Sequence, residues 1–111
     1  MSDELRRFPR IASRHSVLVK KLGTQEVEEF ASTKTIALGG CSFFALERLG
    51  LDSTLELLIA VEGRVINASA RVVYERELHD GRIEVGVEFV RLAPDDAAQI
   101  ASLLENPAAA D

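Results

Sequence analysis

The sequence contains little cysteine and no long apolar run, which excludes two common classes of protein. Its 111 residues include one cysteine, so Cys41 has no partner for an internal disulfide. No apolar run approaches the roughly 20 residues that a membrane-spanning helix needs. The first ten residues, MSDELRRFPR, lack the apolar segment of a secretory signal. These features predict a cytoplasmic protein without membrane insertion.

Motifs typical of enzymes and metal centres are also missing from the sequence. His15 and His79 have no partner residues at metal-ligand spacing. None of the patterns G-x-S-x-G, H-E-x-x-H or the Walker-type phosphate loop occurs. Cys41 is predicted to be a small buried core residue, which is the commoner role of a free cysteine. We therefore predict no catalytic residues, no metal site and no cofactor.

Charge is distributed unevenly along the chain. The formal net charge is −5, but residues 1–21 hold six basic and two acidic residues, so this segment carries +4 and the remainder −9. An acidic body disfavours DNA or RNA, because affinity for nucleic acids grows with the number of phosphates that basic residues neutralise. Only 5% of the residues are aromatic and tryptophan is absent, which argues against stacking of single-stranded bases. A local basic cluster can still bind a compact anion.

Alternating hydrophobicity predicts short β-strands between about residues 16 and 91. In 83–89, isoleucine, valine and phenylalanine alternate with Glu84, Gly86 and Glu88, which predicts a strand with those three residues on its outer side. Turn signals rich in glycine and aspartate separate this run from similar ones before it. Strands at this spacing, without helical patterns between them, favour an antiparallel barrel or sandwich.

The C-terminal segment changes to a helical period. One predicted helical face carries four apolar residues: Ala97, Ile100, Ala101 and Leu104. Pro94 suits the first helical position. We therefore expect one domain, with an N-terminal arginine arm at 1–14, a barrel at about 15–92 and a helix at about 94–105 that covers an end or side of the barrel.

Three arginines lie close together in the stretch RRFPR: Arg6, Arg7 and Arg10. A guanidinium group binds phosphate, or the edge of guanine, through paired N–H donors. It also stacks on purine rings. Pro9 favours extended backbone at the residue before it, which predicts an extended arm ahead of the first strand. A solvated basic tail explains the same composition, so this stretch alone does not decide between the two.

The arginine motif and a later glycine motif together resemble the PilZ domain, the bacterial receptor module for cyclic di-GMP. In that family an RxxxR motif precedes the barrel, and a [D/N]xSxxG motif follows at the end of the second strand. Here Arg6 and Arg10 form the first motif, with Arg7 between them, and TIALGG at 35–40 aligns with the second.

Later segments extend the resemblance to residues 5–105. ARVVY at 70–74 and IEVGVEF at 83–89 resemble the last two strands of the family, and LAPDDAAQIASLL at 92–104 resembles its closing helix. The resemblance implies a mainly β fold, namely a six-stranded antiparallel β-barrel with a C-terminal α-helix.

The second motif departs from the family pattern at two of three positions. Thr35 replaces the acid or amide and Ala37 replaces the serine, whereas Gly40 is retained with Gly39 beside it. In the family, the acid or amide and the serine hydrogen-bond to guanine, while the glycine allows the ligand to approach the backbone. Loss of those two bonds is expected to cost about 2–4 kcal/mol. This corresponds to roughly 30- to 1,000-fold in affinity.

The resemblance therefore implies a ligand site and two possible functions. The candidate ligand-binding residues are Arg6, Arg7, Arg10, Thr35, Ala37, Gly39 and Gly40. The first function is a cyclic di-GMP-binding regulator whose arm becomes ordered on binding and relays the signal to a protein partner, in motility or biofilm regulation. The alternative is a PilZ-fold protein-interaction adaptor that does not bind the nucleotide appreciably. Leu5, where many relatives carry another arginine, predicts one ligand per chain, and exposed strand edges allow a monomer or weak dimer.

Overall fold

The computed structural model describes residues 10–23 and 27–105. In these residues seven strands precede one helix: β1 (Arg10–Ala12), β2 (Ser16–Lys21), β3 (Val27–Ala37), β4 (Gly40–Ala45), β5 (Thr54–Val61), β6 (Arg64–Glu77), β7 (Ile83–Leu92) and α1 (Pro94–Glu105).

Six of the strands close into an antiparallel barrel. Their order is β3-β2-β5-β6-β7-β4, and β4 pairs again with β3 to complete the barrel. The short strand β1 lies beside the C-terminal part of β3, with Arg10 opposite Ala37 and Ala12 opposite Thr35. The predicted fold class, a six-stranded antiparallel barrel followed by a C-terminal helix, is confirmed.

The core fills the inside of the barrel with aliphatic side chains and one phenylalanine. Alternate residues of β5, β6 and β7 point inward and are almost fully buried, as the sequence pattern predicts. Phe43 of β4 is the largest side chain in this core and has no exposed surface. Each fully buried side chain of this size contributes about 1.5–3 kcal/mol relative to an exposed one. The core therefore provides a rigid support for the outer surface.

A β-bulge in β3 determines which of its residues face outward. Thr33 pairs with the core residue Phe43, but Thr35 pairs with the next residue back on β4, Ser42, so that Lys34 is the extra residue. Thr33 is consequently buried, whereas Thr35 shares the outer face with Ser42. The bulge thus turns the end of β3 so that its threonine and alanine belong to the outer surface.

A buried polar cluster connects β1 to β2 at the base of the N-terminal arm. The Ser13 hydroxyl hydrogen-bonds to His15 Nδ1 at 2.8 Å and to the Thr33 hydroxyl, and the backbone N–H of His15 donates to Thr33 Oγ1 at 2.8 Å. The backbone N–H of Ser13 donates to the Lys34 carbonyl at 2.9 Å. Burial lowers the pKa of His15, partly opposed by the charge of Glu62. These bonds fix the connection between β1 and β2 on the barrel.

The helix packs against the barrel through a face that differs from the predicted one. Its buried residues are Asp96, Ile100 and Leu103, while Leu104 is only half-buried. The carboxylate of Asp96 explains the shift. It accepts hydrogen bonds from Arg64 at 3.1 Å and from the Asn67 backbone N–H at 3.3 Å, which draws the first turn onto the start of β6.

Replacement of Asp96 by alanine is expected to lower the free energy of unfolding by about 1–2 kcal/mol, because the backbone N–H of Asn67 then loses its acceptor. The exposed half of Arg64 limits the contribution of the ion pair. Urea unfolding followed by circular dichroism would measure the change. Asp95→Ala is the matched control, since Asp95 lies in the same turn but is exposed. Equal destabilisation by the two variants would contradict this role of Asp96.

Candidate functional site

The last arginine of the first motif and the residues of the second motif meet on the outer face of the barrel, where β1, β3, β4 and β7 lie side by side. Arg10 is opposite Ala37, Ala37 is opposite Gly40, and Gly40 is opposite Glu88. Directly opposed residues of antiparallel strands share one face of the sheet. The last arginine of the first motif therefore lies one strand away from the alanine of the second motif and two strands away from its glycine.

A second row of residues runs parallel to the first on the same face. Thr35 is opposite Ser42, Ser42 is opposite Gly86, and Gly86 is opposite Tyr74. The hydroxyl groups of Thr35 and Ser42 hydrogen-bond to each other at 2.7 Å. The two rows together form a surface with a guanidinium at one edge, hydroxyls in the middle and an aromatic ring at the other edge.

The remaining predicted site residues are placed as follows. Arg10 is exposed, whereas Ala37 is 2% exposed and presents only a methyl group. Gly39 lies in the turn between β3 and β4, where its carbonyl accepts a hydrogen bond from the Phe89 backbone N–H at 2.8 Å. Arg6 and Arg7 lie outside the described residues.

Tyr74 is a component of this surface that the sequence reasoning missed. Its ring lies directly over Gly86, so that a Cβ at Gly86 would overlap the ring. Its hydroxyl donates to Glu84 at 2.8 Å. Burial and this bond raise the pKa of Tyr74 to about 12, with Ser42 and Arg10 acting in the opposite direction. The hydroxyl therefore stays protonated at neutral pH. The only sequence signal for Tyr74 was the tyrosine that ends ARVVY at 70–74.

Glu84 connects Tyr74 to a lysine and an arginine through hydrogen bonds. Its side chain is also far less exposed than the alternation pattern predicted. It lies on the outer side of β7 as expected, but its side chain is only 6% exposed. The carboxylate accepts hydrogen bonds from Arg76 at 2.5 Å and from Lys34 at 3.1 Å, in addition to Tyr74. Burial alone would raise the pKa of Glu84, but these three hydrogen bonds outweigh it and the pKa is lowered. The Glu84 carboxylate thus stays charged and holds the side chains of its three donors in place.

A second ion pair borders the row that contains Gly40. Arg71 hydrogen-bonds to Glu88 through two of its nitrogens and to Asp52 at 2.5 Å. The bonds to Glu88 and then to Asp52 raise the pKa of Arg71. Glu88 therefore places a carboxylate, neutralised by Arg71, directly beside Gly40.

The chemistry of the surface suits the binding of an anion that carries a planar ring. Within residues 10–23 and 27–105, no group of three histidine, cysteine or acidic side chains could hold a metal ion. No helix in the same residues is long and apolar enough to cross a membrane. Cys41 is buried, as predicted, and burial raises the pKa of its thiol to about 12. The usable groups are a guanidinium, two hydroxyls and one aromatic ring.

Comparison with known proteins supports a family assignment. The fold is similar to the inhibitor of motility MotI/DgrA of Bacillus subtilis, with a TM-score of 0.77 and 16% identity over 93% of this chain and 51% of that one. It is also similar to MrkH of K. pneumonia in complex with c-di-GMP, with a TM-score of 0.72 and 21% identity over 93% of this chain and 52% of that one. The chain thus spans about half the length of both proteins.

The PilZ domain of YcgR from Escherichia coli, solved with c-di-GMP, matches this chain over nearly the full length of both chains. Its TM-score is 0.65 and its identity 17%, over 93% of each chain. No curated protein sequence matches this one. A family model for the PilZ domain matches residues 4–106, which is nearly the whole chain. The chain belongs to the PilZ domain family.

Proposed function

We propose that this protein binds cyclic di-GMP on the outer face of its barrel and relays the level of that nucleotide to a protein partner. The observation that carries the proposal is the strand register, which sets Arg10 beside Ala37 and Gly40. Two motifs about 25 residues apart in the sequence thereby form one surface. The complexes of MrkH and of the YcgR PilZ domain with c-di-GMP suggest the ligand class.

In this proposal the arginine arm provides most of the binding energy. Arg10, together with Arg6 and Arg7 just before it, donates paired hydrogen bonds to phosphate oxygens and guanine edges. Hydrogen bonds that involve a charged group contribute about 1.5–3 kcal/mol each. The ligand holds the arm against the barrel only by binding this arrangement more tightly than the free arm, so arm order follows ligand concentration.

The barrel surface contributes a platform of weaker contacts. The ring of Tyr74 offers an apolar face at the edge of the surface opposite to Arg10, where a guanine can stack. Ser42 and Thr35 offer hydroxyls, although these already bond to each other and must rearrange to bind a ligand. The expected stoichiometry is one ligand per chain.

Replacement of Arg10 by alanine is expected to weaken cyclic di-GMP binding by roughly 10- to 150-fold, because one set of charge-assisted hydrogen bonds is lost. Isothermal titration calorimetry would measure the affinity and the stoichiometry. Arg48→Ala is the matched control, since Arg48 is also exposed but follows the far end of β4. Unchanged affinity in the Arg10 variant would refute this role of the arm.

A second candidate function is a protein-interaction adaptor that does not bind the nucleotide appreciably. The state of the second motif favours it, because Ala37 has no polar group and the Thr35 hydroxyl is already bonded to Ser42. A folded wild-type protein that gives no binding heat at sub-millimolar cyclic di-GMP would support the adaptor over the receptor.

A further inference from the structure

A groove lies where β3 and β4 separate, at the end of the barrel away from the nucleotide surface. β3 pairs with β4 only from Thr33 onward, whereas residues 27–32 pair with β2 alone. Beyond β4, the backbone N–H of Leu46 donates to the side chain of Glu29 at 3.1 Å instead of to the backbone of β3. The groove between these segments has a volume of about 420 Å³. One edge of β3 is therefore accessible to another chain.

The groove is lined by large apolar side chains that are unusually exposed. Phe30 is 80% exposed and Leu46 is 75% exposed. Phe30 is opposite Leu18 on β2, which in turn is opposite Leu58 on β5, so these three share the outer face of the sheet. Single exposed apolar residues are common, but a contiguous set beside an unpaired strand edge is typical of an interaction surface.

Acidic side chains without a partner border this apolar surface. In the described part of the chain, the side chains of Glu28 and Glu47 make no ion pair or hydrogen bond, although both residues line the groove. The neighbouring Arg48 is paired with Glu77 at 3.8 Å, so among the described residues that line the groove Lys21 is the one basic group without an ion pair, against three glutamates. The chain beyond residue 21 carries −9 in total. A basic partner is therefore favoured over an acidic one, both locally and at long range.

We propose that this groove binds an extended segment of a partner protein that carries an apolar residue and a lysine or arginine two positions apart. The segment adds as a strand to residues 27–31 of β3, so that its backbone pairs with the open edge. Its apolar side chain then packs on Phe30 and Leu46, and its basic side chain, which points to the same side of the added strand, faces Glu28 and Glu47, because Glu28 and Phe30 are two residues apart on one face of β3. The inference deepens the proposed relay function and rests on it for the existence of a protein partner.

Strand addition fits the site better than a docked helix, because the accessible element is a strand edge and alternate side chains of an added strand point to the same side. The groove and the nucleotide surface lie on the same strand but at opposite ends. Phe30 and Ala37 are seven residues apart, or roughly 23 Å at 3.3 Å per residue. Partner and nucleotide can thus bind at the same time.

A library of random displayed peptides, selected on the full-length protein, tests the proposal. Peptides that bind the wild type but not a Phe30→Glu, Leu46→Glu variant are kept, and their affinities are measured by fluorescence anisotropy. We expect these peptides to carry an apolar and a basic residue two positions apart and to lose at least about tenfold in affinity for that variant. The control is Val65→Glu, which also replaces an exposed apolar residue by glutamate but lies on β6.

A charge reversal tests the second half of the proposal. In a Glu28→Lys, Glu47→Lys variant the selected basic peptides are expected to bind more weakly and their acidic counterparts more tightly. Failure of every peptide to distinguish the wild type from the Phe30→Glu, Leu46→Glu variant would overturn the docking site. Selection of acidic peptides would overturn the stated chemistry. A dimer in sedimentation that this variant dissociates would identify a second copy of the chain as the occupant and would likewise overturn the proposal.

Titration of the Phe30→Glu, Leu46→Glu variant with cyclic di-GMP separates the two proposals. Wild-type nucleotide affinity in this variant shows that it is folded and that the nucleotide surface is intact. If this variant and the wild type bind every basic peptide equally, the docking site fails while the receptor function stands. Basic peptides that discriminate between the two proteins, in the absence of any nucleotide binding, would retain the docking site for an adaptor.

Discussion

A Thr35→Asp, Ala37→Ser variant is expected to bind cyclic di-GMP roughly 30- to 1,000-fold more tightly than the wild type. The double substitution restores the acid and the serine of the family motif. An added hydrogen bond from a charged group contributes about 1.5–3 kcal/mol and one from a neutral hydroxyl about 0.5–1.5 kcal/mol. Their combined effect of about 2–4 kcal/mol gives the stated range of affinity.

The strand register favours this outcome because both positions already lie on the correct face. Position 35 is opposite Ser42, whose hydroxyl now bonds to Thr35 and could donate equally to an aspartate. Position 37 lies between Arg10 and Gly40, so a serine there adds one hydroxyl at the centre of the surface. The directions in which the side chains of β3 point do not need to change for either substitution.

Two controls make the titration decisive. Ser32→Asp adds the same charge to an exposed position of the same strand, outside the candidate site, and is expected to leave the affinity unchanged. Addition of Arg10→Ala to the restored variant is expected to remove most of the gain, because arm and barrel then no longer act on one ligand. A restored variant that binds no better than the wild type would show that the ligand does not use this face.

Much of the barrel was predictable from the sequence because its inward residues follow a period of two. The buried residues of β5, every second one from Leu55 to Val61, show that period without interruption. The bulge at Lys34 was not predictable in this way. It changes the face of β3 between Thr33 and Thr35, and a bulge depends on pairing with β4 rather than on any local pattern.

The sequence predicted only those site residues that belong to the two motifs. The resemblance identified Arg10 and Gly40, and the register brings them close together. The cluster of Tyr74 and Glu84 could not be found, because its members come from different strands and join only when β6 and β7 pair. The burial of Glu84 had the same cause: the sequence pattern predicts a solvated outward glutamate, but three donors from β3 and β6 cover it.

Replacement of Gly86 by valine is expected to lower the free energy of unfolding by about 3 kcal/mol, the upper part of the usual range for overpacking. Valine favours strands, so the backbone itself would not resist the change. The cost comes from the ring of Tyr74, which occupies the space that any Cβ at position 86 needs. Displacement of the ring also removes one of the donors to the buried carboxylate of Glu84.

The effect of this substitution is best separated by a double-mutant cycle with Tyr74→Ala, with unfolding in urea as the measurement. Once the ring is absent, Gly86→Val meets no obstacle and is expected to cost less than about 1 kcal/mol, so the two changes should be non-additive by about 2 kcal/mol. Additivity within about 0.5 kcal/mol would mean that the ring does not occupy the surface of Gly86. Non-additivity of the expected size would establish that Gly86 holds Tyr74 flat on the barrel, in the position from which its ring faces the proposed nucleotide site.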